Sequence, residues 1–266
     1  MTTAILSTLS CYILTYNSER RLAQVLASIQ NMADEILIVD SGSTDKTLEI
    51  ARTFGATVLT HKFVNFRDQR IFAEDHCIHP WVLALDSDEV VSDELKNRLQ
   101  HLKQSHFQTS TRQAPDGFSI RRNWFFMGVK VRNFYPVKTP EFNVRLFQRD
   151  RLSHRGSRII HEQLQFNKAT IESIDEPILH YSCDSIEDLY DKISLYTTLA
   201  AQDMQANGTS SSWFKICIYP WLIWVRWYLI YGGWRDGYIG AILGKYVRDT
   251  IYLKYLKLKF IRVHAQ

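Results

Sequence analysis

Trp81-Val-Leu-Ala-Leu-Asp86-Ser87-Asp88-Glu89 is an apolar run that ends abruptly in three carboxylates. A short apolar run bounded by polar residues reads as a buried parallel strand. Open α/β sheets bind ligands just beyond the carboxyl ends of such strands. Alternate side chains of a strand point the same way, so on this reading Asp86 and Asp88 converge on one cation. Hard divalent ions take carboxylate oxygens, and Mg²⁺ typically keeps one or two protein carboxylates and completes its shell with substrate phosphates. The junction points to a metal held against a phosphorylated ligand. Taken alone, it is equally compatible with a solvated strand end.

Upstream of this junction the chain alternates. Thr8–Thr15, Glu35–Asp40 and Thr57–His61 read as strands, and Ser18–Gln30, Thr44–Phe54 and Arg67–Cys77 as helices, with Gly55 as a helix stop. A helix capped by Ser92 follows over Ser92–Gln104. Strands separated by helices of this length imply βαβ units and a parallel sheet. After a polar loop, Ser105–Asp116, come short β-like runs at Gly117–Arg122, Phe125–Val131, Asn143–Gln148 and Ile178–Tyr181. They suit an added mixed layer that could form an acceptor pocket. Ser185 with Asp188 resembles a capping box opening a helix to about Asn207, and Gly208–Ser212 reads as a linker.

The 266 residues suffice for one large domain with an appendage. The four cysteines are scattered with no Cys-x-x-Cys pair, and Cys11 and Cys77 sit in apolar patterns, as buried thiols do in a reducing compartment. Met1–Ser10 lacks a basic flank and a long apolar stretch, so no signal peptide is expected there. Charge is uneven. From Trp213 to Gln266 nine Lys/Arg face two Asp, +7, against −3 for residues 1–212. The same tail holds five of the seven Trp and seven of the thirteen Tyr. Ile216–Tyr231 is apolar apart from Arg226 and is interrupted by Pro220; it falls short of the roughly 20 residues a spanning helix needs. Tyr238–Phe260 carries Lys245, Arg248, Asp249, Lys254, Lys257 and Lys259. Aromatic and cationic residues mixed into apolar helices fit in-plane association with an anionic membrane surface; a helical hairpin packed on the catalytic domain is the alternative, and both can hold.

Three strand ends carry polar clusters on the same expected sheet edge: Thr15-Tyr16-Asn17-Ser18-Glu19, Asp40-Ser41-Gly42-Ser43-Thr44-Asp45 and Asp86-Ser87-Asp88. In the second, Gly42 can make the turn and Ser43 or Thr44 can cap the helix. Capping does not require Asp40, whose carboxylate could accept hydrogen bonds from a base or ribose. There is no Gly-x-x-x-x-Gly-Lys loop and no Gly-x-Gly-x-x-Gly after the first strand, which leaves P-loop and dinucleotide-fold readings little to rest on.

The ordered set Ile13-Leu-Thr-Tyr-Asn-Ser-Glu19, Ile38-Val-Asp-Ser-Gly-Ser-Thr-Asp-Lys-Thr47 and Leu85-Asp-Ser-Asp-Glu89 resembles family 2 inverting glycosyltransferases of the GT-A fold. The nearer likeness is to the lipopolysaccharide-core β-glucosyltransferase-like subgroup. It rests on Asp40-Ser-Gly-Ser, Gln69-Arg70 before Phe72-Ala73, Arg121-Arg-Asn-Trp-Phe-Phe-Met-Gly128, Arg145-Leu-Phe147, His161-Glu162, Leu179-His-Tyr-Ser182 and Gly232-Gly-Trp-Arg-Asp-Gly237. Ile71 departs from it, since an Asn is usual there. The resemblance implies an α/β catalytic domain with a mixed central sheet, set over residues 1–207; the composition of 213–266 adds an amphipathic helical membrane-association segment.

Residue roles follow from that resemblance. Thr15, Tyr16, Asn17, Glu19, Asp40, Gln69, Arg70, Asp86 and Ser87 would line the donor. Asp45 would support that loop, or serve as a first-turn acid favoured by the helix dipole. Asp88, with Asp86 and His180, would hold a divalent metal, Mn²⁺ or Mg²⁺. A lone histidine at a strand end is more often structural, which is the alternative for His180. Inverting transfer needs a base for the acceptor hydroxyl proton, and Glu162 is the candidate; a salt bridge to Arg158 is its bland alternative. His161 could orient Glu162 or pack. Arg121, Arg122 and Arg145 could bind an anionic acceptor or be surface charges on strands. The implied enzyme moves a glucose-like hexose from a nucleotide sugar, such as a UDP-sugar, to a lipid-linked saccharide such as lipopolysaccharide core. It would work on the inner face of the cytoplasmic membrane, with no nucleic-acid partner. The alternatives are a polyprenyl-phosphate glycosyltransferase, a sugar nucleotidyltransferase, disfavoured by the missing Gly- and Arg-rich loop, and a non-catalytic lipid-surface binding module.

Overall fold

The computed structural model describes residues 8–105, 115–137, 140–152 and 170–261. The chain forms two compact units, one of Met1–Arg122 with Phe142–His180, the other of Asn123–Glu141 with Tyr181–Gln266. The sequence reading sets a catalytic domain at 1–207 and a segment at 213–266; the two compact units meet along the chain at 122/123, 141/142 and 180/181, each within a strand.

In the first unit, strands β1 (Leu9–Thr15), β2 (Glu35–Asp40), β3 (Thr57–Thr60) and β4 (Trp81–Asp86) alternate with helices α1 (Leu22–Ile29), α2 (Thr47–Thr53) and α3 (Phe66–His76). β1 lies between β2 and β4, and the β2–β1, β1–β4 and β2–β3 pairs are parallel, as the βαβ spacing predicts. β5 (Glu89–Val91), α4 (Asp93–Ser105), β6 (Gly117–Phe126), β7 (Val129–Val131), β8 (Glu141–Gln148) and β9 (Ile171–Cys183) follow. The sheet runs β3-β2-β1-β4-β8-β6-β9-β5, with β8 antiparallel to β4 and β9 antiparallel to β5. It is therefore mixed, as expected.

Every residue of β1 is buried, and β4 is buried until Asp86. That is why both read as unbroken apolar runs rather than alternating ones. α1 turns Leu22, Val25, Leu26 and Ile29 inward, the spacing of one helical face. It begins at Leu22 rather than at Ser18, because Ser18 is committed elsewhere: its N–H donates to Thr47 Oγ1 at 2.7 Å and its hydroxyl to Ser87 Oγ at 2.8 Å. Ser92 accepts from Leu95 N at 3.2 Å and caps α4, as the sequence suggests.

In the second unit, β7 pairs with the end of β6 across a Met127-Gly128 turn in which both residues have positive φ. α5 (Ile186–Ala206) is capped by Ser185, which accepts from Asp188 N at 3.1 Å. Then come α6 (Trp213–Cys217), α7 (Tyr219–Val225), a π turn over Arg226–Ile230, a 3-10 turn over Gly233–Asp236 and α8 (Gly237–Ile261). Pro220 sits in the first turn of α7, where its missing N–H costs nothing, and separates α6 from α7. α8 buries Ile239, Leu243, Val247, Ile251 and Leu258 along one face. Trp124, Phe126, Phe134, Leu189, Ile193 and Trp227 belong to the same core. Gly240 allows a close approach, since a Cβ there would lie 2.0 Å from Gly233 O.

Candidate active site

The parallel register sets the site. Thr15 is opposite Asp40, and Leu14 is opposite Asp86, so the polar residues that end β1, β2 and β4 share one sheet edge.

The β1 and β2 ends are tied into one network. Asp40 is fully buried. Its Oδ1 accepts from Thr15 Oγ1 at 2.9 Å and Ser43 Oγ at 2.5 Å, and its Oδ2 from the N–H groups of Gly42 and Ser43 at 2.9 and 2.8 Å. Both carboxylate oxygens thus shape the turn, whose Gly42 has φ +99°. The sequence offered this carboxylate to a base or ribose; in the structure it builds the loop. Asn17 (φ 46°) and Thr44 are joined by Asn17 Oδ1 accepting from Thr44 N at 2.9 Å, and Asn17 N donates to Ser43 Oγ at 2.8 Å. Glu19 Oε2 accepts from Lys46 N at 3.0 Å. Asp45 accepts from Glu19 N and Thr47 N, both at 3.0 Å. Burial would raise the Asp45 pKa, but the hydroxyl of Thr47 and these amides hold it below the ordinary carboxylate range. Asp45 thus supports the loop, one of its two expected roles. Tyr16 stands exposed at the rim.

The β4 end differs from its sequence reading. The strand stops at Asp86, and Ser87 and Asp88 form the turn into β5. Alternation along a strand therefore does not align Asp86 with Asp88. Asp86 instead meets two guanidiniums: Arg70 Nη2 at 3.0 Å from Oδ1 and Arg145 Nη2 at 2.8 Å from Oδ2. Burial alone would raise its pKa; Arg70 and then Arg145 outweigh that and hold the carboxyl well below the usual range. Arg145 also donates to Glu89 Oε1 at 2.5 Å, and Arg122 to the same oxygen at 3.0 Å. Glu89 Oε2 accepts from Asp86 N at 3.1 Å. Burial would lower the Arg145 pKa, but Glu89 and Asp86 raise it, so its charge is permanent.

Three arginines and two carboxylates thus clamp the turn. Glu89, completely buried, had no role in the sequence reading. The signal was present in the apolar Val90-Val91 that follows it, which marks a second short strand. Arg122 and Arg145, weighed as acceptor contacts or surface charges, both sit in this clamp. Gln69 and Arg70 are helical neighbours and project in different directions. Arg70 reaches Asp86, whereas buried Gln69 donates from Nε2 to His61 O at 3.0 Å.

Asp88 Oδ2 lies 3.3 Å from His180 Nε2, and both side chains are partly open, at 27% and 12% exposure. β9 delivers His180 because it pairs with Glu89 across the β5–β9 ladder. Among the described residues no group of three or more His, Cys, Asp or Glu could hold a metal. A carboxylate oxygen beside an imidazole nitrogen nevertheless fits a divalent ion that draws its other ligands from phosphate and water. Asp86, its oxygens already on guanidiniums, fits such an ion less well. Arg158, His161 and Glu162 lie outside the described residues.

The profile of glycosyl transferase family 2 matches residues 10–164. An uncharacterised glycosyltransferase of Rickettsia typhi is 30% identical over 97% of this chain and 89% of its own length. The lipopolysaccharide core biosynthesis glycosyltransferase LpsC of Rhizobium meliloti is 25% identical over 97% and 93%. Among solved structures, the mannosyltransferase PcManGT of Pyrobaculum calidifontis, in complex with GDP-Man and Mn²⁺, superposes with a TM-score of 0.51 at 14% identity, covering 96% of this chain and 86% of that one. That likeness shows the fold, the GT-A type.

Proposed function

The chain belongs to glycosyl transferase family 2, and on that premise we propose a metal-dependent inverting transfer of a glucose-like hexose from a UDP-sugar to a lipid-linked saccharide such as lipopolysaccharide core. The observation that carries this reading is the β4–β5 turn. There Asp88 stands beside His180 while arginines anchor Asp86 at the sheet edge. The acceptor class is supported by the likeness to LpsC over nearly the full length of both chains. A metal is supported by the Mn²⁺ of the mannosyltransferase.

Tyr16, Asn17 and Glu19 would face the base and ribose, on a loop that Thr15, Asp40 and Asp45 shape. Ser87 joins that loop to the β4 turn through its hydrogen bond to Ser18. Asp88 and His180 would hold the divalent ion, which when bound stabilises charge on the departing diphosphate. Arg70 and Arg145 give the same edge a fixed positive potential, preorganised because Asp86 and Glu89 hold it in place. Glu162 would take the proton of the attacking acceptor hydroxyl. The enzyme would work at the cytoplasmic membrane's inner face, where the acceptor's lipid is held.

The test is a transfer assay with Mn²⁺, a panel of UDP-hexoses and GDP-mannose, and as acceptors extracted core lipopolysaccharide lacking outer sugars or a polyprenyl phosphate. One added hexose on the core, with inverted anomeric configuration by NMR, is the expected result. Transfer to polyprenyl phosphate alone would replace this acceptor with the lipid phosphate, and product of retained configuration would overturn the inverting mechanism.

A further inference from the structure

The stretch from α6 through the π turn carries two apolar faces. Ile216, Pro220, Ile223 and Trp227 recur at helical spacing; Ile216, Pro220 and Trp227 are buried, and Ile223 packs on the second unit's core. Phe214, Ile218, Trp221, Leu222, Val225 and Leu229 recur at the same spacing and are all exposed. A helix resting on its own protein carries polar residues on its outward face. Here that face is apolar, and it continues through exposed Ile230, Tyr231, Trp234 and Tyr238. A contiguous apolar surface of this kind marks an interaction site.

Its charges are mostly positive, the one acid before Tyr238 being Asp236, whose carboxylate accepts from the N–H groups of Arg132 and Asn133. Between Trp213 and Arg235 the only ionisable acids or bases of full charge are Lys215, Arg226 and Arg235, with no Asp or Glu. The guanidinium carbon of Arg226 lies 5.2 Å from the Tyr231 ring centroid, that of Arg235 5.5 Å from Trp234, and that of Arg248, from α8, 4.9 Å from Trp221. Cations held over aromatic rings place positive charge against an apolar surface, the pattern of residues seated at a lipid headgroup boundary. No helix among the described residues is long and apolar enough to cross a membrane.

Lys215 Nζ donates to Ser210 O at 2.9 Å, and two lysines of α8, prominent in the sequence, are likewise engaged by the protein. Lys257 Nζ donates to Ser194 O, Thr197 Oγ1 and Thr198 Oγ1 of α5 at 2.8–2.9 Å. Lys245 is bound to Asp249 at 2.6 Å and to Tyr190 at 3.1 Å. α8 serves largely as the support.

We infer that the outward face of α6, α7 and the π turn, with Lys215, Arg226 and Arg235, is the docking surface for an anionic lipid bilayer, lying in the plane of the headgroups. This rests on the lipid-linked acceptor proposed above and adds which residues meet the membrane. Aromatic side chains supply apolar burial at the headgroup boundary. The three cations supply a salt-sensitive attraction worth about fivefold in affinity each.

The full chain is tested by co-sedimentation with vesicles of phosphatidylglycerol and phosphatidylcholine or of phosphatidylcholine alone. Quenching of tryptophan fluorescence by bromine-labelled lipid gives a second readout that needs no variant. Wild type should sediment with the anionic vesicles and be quenched. Ile218→Ser/Trp221→Ser/Leu229→Ser should lose binding to both vesicle types while keeping the wild-type melting curve. Lys215→Gln/Arg226→Gln/Arg235→Gln should lose binding to anionic vesicles by a factor on the order of 10², and with it the salt dependence. Lys254→Gln/Lys257→Gln/Lys259→Gln should retain more binding than the other cation variant. The inference is overturned if wild type binds neither vesicle without quenching, if the serine variant binds like wild type, or if the face instead mediates self-association that the serine variant abolishes. Binding of UDP with Mn²⁺, measured without vesicles, reports on the glycosyltransferase reading separately, so the two can fail independently.

Discussion

Replacing Arg145 with Met tests whether the buried clamp holds the β4–β5 turn. The substitution keeps length and apolar stem and removes every donor. Two contacts vanish, to Asp86 Oδ2 at 2.8 Å and Glu89 Oε1 at 2.5 Å, and the cluster goes from +1 to neutral. Removing one partner of a buried ion pair costs about 3–5 kcal/mol, because the other charge stays desolvated. Here Arg70 still meets Asp86 Oδ1 and Arg122 still meets Glu89 Oε1. The low end, about 3 kcal/mol, is therefore expected. In urea, with a slope of about 3 kcal/mol/M, the midpoint of the first unit's transition should fall by about 1 M. In Glu89→Met/Arg145→Met the buried carboxylate and its partner leave together, so the double variant should lose less than the sum of the two singles.

The acid limb provides a second reading of the same pair. Asp86 has a depressed pKa in the folded state. It therefore contributes stability that is fully present above the unfolded value near 3.9 and is lost as pH falls toward the folded one. Below about pH 4 the unfolded chain binds a proton the folded chain does not, and this group alone costs about 1.4 kcal/mol per pH unit. With Arg145 gone the folded pKa rises toward the unfolded one. The variant should then show a shallower acid slope than wild type between about pH 4 and 3. A stability within about 0.5 kcal/mol of wild type, together with an unchanged acid slope, would mean the cluster is solvated, and the clamp reasoning would be wrong.

Asp88→Asn should abolish Mn²⁺-dependent binding of UDP in calorimetry while leaving the melting curve unchanged; binding like wild type would remove Asp88 from metal ligation. Glu162→Gln should leave donor affinity near wild type and reduce turnover by a factor on the order of 10² or more, and full turnover at saturating acceptor would exclude Glu162 as the base. Gly240→Ala should destabilise the second unit by about 1–3 kcal/mol, since its Cβ would meet Gly233 O at 2.0 Å; a neutral result in urea unfolding would show that the 3-10 turn can move aside.

The parallel half of the sheet was legible because its signals are local. Gapless apolar runs such as Tyr12–Leu14 and Val82–Leu85 are buried on both faces, and the helices between them carry single apolar stripes. β5 escaped notice because three residues after a turn give no period to read. The first half of β9 reads as loop because Ile171-Glu-Ser-Ile-Asp-Glu-Pro177 is acidic and contains a proline, yet it extends a strand recognised only from Ile178. α8 is interrupted in sequence by glycines that act as close-approach positions rather than breaks: at Gly244 a Cβ would come within 2.7 Å of Trp224 Nε1. The charge clamp was least visible. Its arginines come from α3, β6 and β8, and Arg145 meets a carboxylate 56 residues away. Side chains that long converge only after the fold has formed.

The way this edge distributes its carboxylates bears on the chemistry. Of four acids at the ends of β2 and β4, Asp40 is consumed by the turn it builds, and Asp86 and Glu89 by the arginines they orient. Asp86 is open to the same extent, 28% against 27%, but its oxygens are on guanidiniums, whereas Asp88 stands next to an imidazole. Had all four faced outward, mutual repulsion would have raised their pKa values and weakened the edge as an anion site. Pairing two of them with three guanidiniums leaves a fixed net charge of +1 that solvent reorganisation does not have to create during reaction. A diphosphate approaching this edge would therefore meet a field already set by the fold. Asp88 lies one turn residue from the clamp, so the rigidity of Asp86 and Glu89 is what would keep its carboxylate beside His180.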